Sequence, residues 1–201
     1  MKEVLKLKFN ELIRDFNPAE ARIVIFEHIR DIPYYLVPQV ADPYEWAVQM
    51  LYTQKASCSP KHYLLGLYFE ELGIPVKYAT YPFKWDKQKM EYPDEIKNLT
   101  HGLPIAYHVA CKAHINSKWI TIDATWDVAL NKCGLFKINT NWDGESEMVV
   151  AVDTGEEIVH ETLKDRLAFV NEKRNLYTDQ EKTAYAEFIN KFNAWLERLR
   201  R

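Results

Sequence analysis

The sequence predicts an α+β fold: a helical first third, an antiparallel sheet in the middle and a helical C-terminus. Three observations predict it. Cap-and-proline pairs open helices at Asn17-Pro18 and Asp42-Pro43. Runs rich in β-branched and aromatic residues occupy 75–81, 105–115 and 119–125. An apolar stripe at helical spacing then runs from Ala184 to Leu199.

In order, Asn17 serves as N-cap, Pro18 sits at N1 where its missing N–H costs nothing, and Glu20 lies at the positive dipole end. This helix carries Ile23, Phe26 and Ile29 and stops before Pro33. Asp42-Pro43-Tyr44-Glu45 repeats the pattern for a helix with Trp46, Met50 and Leu51. A third helix opens between Ser57 and Pro60, carries Leu64, Leu67, Tyr68 and Leu72, and closes on Gly73 as C′. Residues 84–101 read as a polar loop, either a solvated excursion or a lid bordering a cleft. Asn116-Ser117 is the turn between the next two strands, and 148–152 reads as a further strand. Thr178 and Glu181 form a capping box for the last helix. Its stripe holds Tyr185, Phe188, Ile189, Phe192, Trp195 and Leu196, either packed on the core or offered to a protein partner.

Composition sets the limits. The 201 residues suit one domain, 1–201, with a core over about 18–155 and a helical extension over about 160–201. Lys+Arg is 26 and Asp+Glu is 29, a net charge of -3, which argues against a nucleic-acid partner. No apolar run approaches a membrane span, and the opening residues lack the apolar stretch of an export signal, so a cytoplasmic location without membrane is expected. Three widely spaced cysteines do not suggest a disulfide framework.

One cysteine stands out. Cys58 falls at the predicted start of the third helix, where free backbone N–H groups and the dipole favour a thiolate. Lys55 and Lys61 are expected to push the same way. Position alone is weak ground, because most free cysteines are buried and inert. His108 by itself reads as a solvent-facing strand histidine, opposite an odd-numbered face taken as the buried one. A two-residue loop at Asn116-Ser117, however, sets His108 opposite Thr125 and Asp123 opposite Ala110. His108 and Asp123 then become diagonal neighbours on one face, within reach of an Asp–imidazole hydrogen bond. A three-residue loop would break this parity. A thiol at a helix start with a His–Asp pair on a hairpin is what nucleophilic attack on a carbonyl needs.

The stretch from about Ala19 to Asp127 resembles the transglutaminase-like superfamily, the papain-like Cys-His-Asp group. The resemblance rests on the opening helix and aromatics of 21–35, on Lys55-Ala56-Ser57-Cys58 followed by a helix that turns through Gly73-Ile74-Pro75 into Val76-Lys77-Tyr78, on Tyr107-His108-Val109, and on the Lys118 to Asp127 strand. It covers about half the chain. It implies Cys58 as nucleophile, His108 as general base then acid, Asp123 as the orienting acid, and no cofactor. Members often carry Gly before the cysteine; here it is Ser57, with Ser59 and Pro60 after. The Cys58 N–H is one expected oxyanion donor, with the side chain of Gln54 or Trp46 as a second. Trp85 and Trp126 are candidate cleft walls, although Trp126, like Trp142, reads first as core. The expected substrate is a peptide, protein or small amide, cleaved through a Cys thioester. The alternatives are an amine-accepting acyltransferase and a binding or scaffold protein that keeps the fold without turnover.

A metal site is not expected. Cys58 and His62 share a helix face, but His108 and Cys111 fall on opposite strand faces, and no Cys-x-x-Cys pair exists. His101, His114, His160, Cys111 and Cys133 have structural readings.

Overall fold

The structure, a computed structural model, describes residues 2–201. Four helices come first: α1 (Glu3–Ile13), α2 (Pro18–Arg30), α3 (Pro43–Thr53) and α4 (Cys58–Glu71). Asn17 caps α2 through the Ala19 and Glu20 amides, with Glu20 reaching back to complete a capping box, and Asp42 caps α3 through Tyr44 and Glu45. α4 ends in a Schellman pair: the Gly73 N–H reaches Glu70 O at 2.9 Å and the Ile74 N–H reaches Phe69 O at 2.9 Å. Gly73 has φ +76°, which a residue with a Cβ adopts only under strain.

The sheet is antiparallel, in the order β3-β2-β1-β4, with β1 (Val76–Phe83), β2 (Ala106–Ile115), β3 (Lys118–Ile122) and β4 (Ile158–His160). Asn116 and Ser117 both have positive φ, so the β2–β3 turn is the tight two-residue kind whose twist matches the strands. Ile115 pairs with Lys118 and Cys111 with Ile122, the register that carries Asp123 to the level of Ala110. After the sheet come α6 (Leu163–Asn175) and α7 (Asp179–Arg200), with Thr178 and Glu181 forming the capping box of α7. A short α5 (Asp94–Thr100) lies between β1 and β2.

The sheet separates two cores. Val109, Cys111, Ala113 and Ile115 of β2 join α1–α4 in one; Ala79, Tyr81, Phe83 and Ala110 join Trp85, Trp126 and the α7 stripe in the other. Both faces of β2 are therefore covered, not the odd face alone, which is why Ala110 and His108 are as buried as their odd neighbours. Cys58 packs against both cores.

Two readings need correction. Residues 84–101 are no solvated excursion. Trp85 is buried between Phe188 and Phe192 at ring distances of 4.9 and 5.2 Å, and α5 packs on α7. Residues 148–152 form no strand. The Met148 N–H meets Thr121 O, but the Val149 and Ala151 amides bond to the Asn139 and Asp123 side chains. α1 and α6 carry no strong sequence signal: Lys2 offers α1 no side-chain cap, and the side chains α6 buries are Arg166 and Val170. The α7 stripe is covered by the chain's own core, with Phe188, Phe192, Trp195 and Leu196 all buried.

α4 lies close against β1. A methyl group on Gly66 would overlap the Tyr78 hydroxyl and stand 2.8 Å from its Cζ, and Tyr78 is itself buried and cannot swing aside. Gly66→Ala is expected to destabilise the fold by about 1–3 kcal/mol, against a helix-propensity gain of only about 1 kcal/mol. A urea midpoint equal to or above that of the wild type would show that the interface yields.

Candidate active site

Three local devices bring the chemistry together. The first is the start of α4. Ser57 is the N-cap but its side chain makes no cap hydrogen bond, so the amides of the first turn are left uncommitted. The segment before it is fixed by a parallel bridge between Tyr34 and Ala56, with the Tyr35 N–H on Ala56 O at 2.9 Å and the Ala56 N–H on Pro33 O at 3.1 Å.

The second device is the hairpin. His108 Nε2 donates to Asp123 Oδ2 at 2.8 Å, and both residues are 2% exposed. Asp123 accepts two more bonds, from the Ala151 N–H at 2.8 Å and the Thr125 N–H at 3.0 Å. With Nε2 committed, Nδ1 is the imidazole nitrogen left for Cys58.

The third is His62, one turn along α4. Its Nδ1–H donates to Cys58 O at 2.8 Å, and its Nε2 accepts the Ala124 N–H at 3.0 Å. These two bonds fix one neutral tautomer. Burial pushes its pKa down to about 4, despite the nearby Asp123 charge. Its Nε2 lies 3.6 Å from Asp123 Oδ1, yet a nitrogen that accepts a hydrogen bond carries no proton to share, so this is a contact and not an ion pair. His62 is a strut between the cysteine helix and the aspartate strand, which removes it as a metal ligand. Among the described residues no three His, Cys, Asp or Glu side chains group as metal ligands.

The electrostatics follow. Burial acts to raise the Cys58 pKa, but the His108 hydrogen bond and charge, the Arg166 charge and the Val109 N–H outweigh it, and the thiol lies below its usual value. Burial acts to lower His108, but the Asp123 carboxylate and the Cys58 sulfur overcome it and bring it to about 10. His108, countering burial, holds Asp123 well below the usual carboxylate range. Both shifts run toward thiolate and imidazolium, each group favouring the charged form of the other.

The cationic help comes from Arg166, not from the lysines in the adjoining sequence. Lys55 lies over the Tyr35 ring and pairs with Glu197. Lys61 is fully buried and donates to the carbonyls of Arg30 and Thr125, both at 2.8 Å. Burial pushes its pKa from 10.5 to about 7. Between those pH values the unfolded state binds the extra proton, so the penalty is full below about pH 7 and lifts as pH rises. The urea midpoint of the wild type, less that of Lys61→Met, is expected to rise from pH 7 to pH 9. A flat difference would place the charge elsewhere.

Cys58 opens onto a cavity of about 360 Å³, beside His108 and the Ser57 and Ser59 positions. Trp46, Trp85 and Trp126 all line it, so the two cleft tryptophans are both wall and core; Trp142 is core alone. Gln54 does not reach the cavity. It is the left-handed C-cap of α3, and its amide turns back to Leu51 O at 2.7 Å. Sequence reasoning missed Arg166, Arg174 and Tyr185. The last two line the cavity from the C-terminal helical hairpin; in sequence Tyr185 reads only as one of the α7 stripe, and no local pattern marks Arg174.

No protein-family model matches the chain, and no curated protein matches it. Two solved structures are similar. One is a "putative cysteine protease" from Cytophaga hutchinsonii, at 22% identity and TM-score 0.42, covering 64% of this chain and 39% of that one. The other is a "putative protease" from Parabacteroides distasonis, at 18% identity and TM-score 0.41, covering 61% of this chain and 23% of that one. The chain spans well under half the length of either. Likeness this slight carries nothing about activity.

Proposed function

We propose that the protein is a thiol-dependent acyl-transfer enzyme that hydrolyses a peptide or amide bond through a thioester on Cys58. The observation that carries the reading is the buried 2.8 Å bond from His108 to Asp123, made beside a thiol that opens onto a cavity. In the resting pair His108 holds the thiol proton. The Cys58 sulfur attacks the substrate carbonyl, and the oxyanion meets the uncommitted Cys58 N–H, with the Trp46 indole on the same cavity wall as the candidate second donor. His108 passes its proton to the leaving amine as the C–N bond breaks. Water then attacks the thioester, giving its proton to His108 and releasing the acid as the thiol re-forms. Asp123 keeps the imidazole in one orientation throughout.

The test is alkylation of Cys58 by iodoacetamide against pH, read by mass spectrometry, in wild type and His108→Ala. Fast labelling is expected to persist well below the free-thiol pKa of about 8.5 and to be lost in the variant. Cys133, also partly exposed, is the internal control. Labelling of Cys58 no faster than Cys133, and indifferent to the substitution, would leave a binding protein on an enzyme fold.

A further inference from the structure

The cavity at Cys58 is lopsided in its chemistry. Its wall is largely aromatic and aliphatic, and not one Asp or Glu lines it. Apart from His108, two cations do, Arg174 at the end of α6 and Lys182 in the first turns of α7. They differ in kind. Lys182 is exposed and already paired with Asp179 at 3.2 Å. Arg174 is half-buried, and among the described residues it pairs with no carboxylate; it is held by the neutral amide oxygen of Gln39 at 2.6 Å. Gln39 in turn is anchored by its own amide nitrogen to Asn171 at 3.0 Å, so the guanidinium is set in place without being neutralised.

Tyrosine hydroxyls share the cavity with it. Tyr107 and Tyr185 both line the cavity and neither hydroxyl has a protein hydrogen-bond partner among the described residues, whereas Tyr177, also in the lining, gives its hydroxyl to Ile105 O. Tyr185 also lies within electrostatic range of Cys58. An unneutralised guanidinium that shares a cavity with two O–H donors free to turn is a receptor for an anionic oxygen group. The volume, about 360 Å³, is at the small end of the roughly 300–1,000 Å³ typical of small-molecule sites.

We propose that the cleft selects a small acyl compound with an apolar, preferably aromatic, body and a carboxylate, the carboxylate seated on Arg174 between the Tyr107 and Tyr185 hydroxyls and the body against Trp46, Trp85 and Trp126. This rests on the reading of the Cys58 cleft as a substrate site and names its substrate class: a compact carboxylate-bearing amide, not an extended stretch of a folded protein. Arg174 is a specificity residue in this account and takes no part in bond breaking.

Binding tests it without any turnover. The probes are 3-phenylpropanoate and its neutral amide, titrated into Cys58→Ala by tryptophan fluorescence, since three tryptophans line the cavity. The carboxylate is expected to bind roughly tenfold to a hundredfold tighter than the amide, the range for a charged hydrogen-bonded pair. In Cys58→Ala carrying Arg174→Gln the ratio is expected to fall to about one, and with Arg174→Lys to recover in part. Circular dichroism confirms that each variant is folded. Equal binding of the two probes, a preference untouched by Arg174→Gln, or no saturation by either probe would each overturn the proposal. The alkylation of Cys58 is read separately, so an unreactive thiol with a carboxylate-selective cavity would sink the enzyme reading alone, and a reactive thiol beside an indifferent cavity would sink this one alone.

Discussion

Asp127→Asn is expected to destabilise the fold by about 3–5 kcal/mol, the loss seen when one partner of a buried ion pair is removed. Asp127 is 1% exposed and spends both oxygens. Oδ2 accepts the Tyr34 N–H at 2.8 Å and Arg200 Nη2 at 2.6 Å, and Oδ1 accepts Arg200 Nε at 3.0 Å. Arg200 closes the ring by donating to Tyr34 O at 2.8 Å and lies over the Tyr35 ring. Asparagine keeps one acceptor, but it turns an amide toward a guanidinium and removes its counter-charge. Marginal stability of about 5–15 kcal/mol makes this a large fraction of the total. Adding Arg200→Met is expected to restore part of the loss, because no unpaired charge is then left inside. Urea unfolding of the three variants measures it. A single-variant loss under about 1 kcal/mol, with no recovery in the double, would mean that water reaches the pair.

The second large effect is at the site. Asp123→Asn is expected to slow Cys58 alkylation at pH 6 by about tenfold or more, since losing an opposite charge at hydrogen-bond distance moves a pKa by about one to three units. The sign follows from the raised His108 pKa: without the carboxylate the imidazolium is less favoured, so the thiolate it supports is lost on the acid side first. Turnover of any substrate found is expected to fall on the order of 10³–10⁴-fold. Because Asp123 also holds Ala151 and Thr125, the variant must be shown folded by the near-ultraviolet signal of its tryptophans. An alkylation profile superimposable on wild type would remove Asp123 from the chemistry.

What could be read in the sequence was local. The Asn17, Asp42 and Thr178 caps act within three residues, so α2, α3 and α7 are visible without tertiary knowledge. The His108–Asp123 geometry was also readable, because one tight turn at Asn116-Ser117 sets the register of everything attached to it. What could not be read depends on distant partners. α6 buries a whole arginine, which no apolar pattern announces. His62 looks like any helix histidine until Ala124, just past the end of β3, arrives to meet it. Lys61 looks solvated until two carbonyls from separate segments enclose it. Trp85 sits in a charged stretch, and only the α7 phenylalanines decide that it faces inward.

The wall that α7 lends to the cavity has a consequence in time. A ribosome delivers Cys58 and His108 long before it delivers Tyr185, Phe188 and Ile189. At about 5–20 residues per second the gap is on the order of ten seconds. Through that interval the cavity lacks its α7 wall and Trp85 lacks Phe188 and Phe192. The substrate cavity is therefore a late product of synthesis, complete only when α7 has joined it.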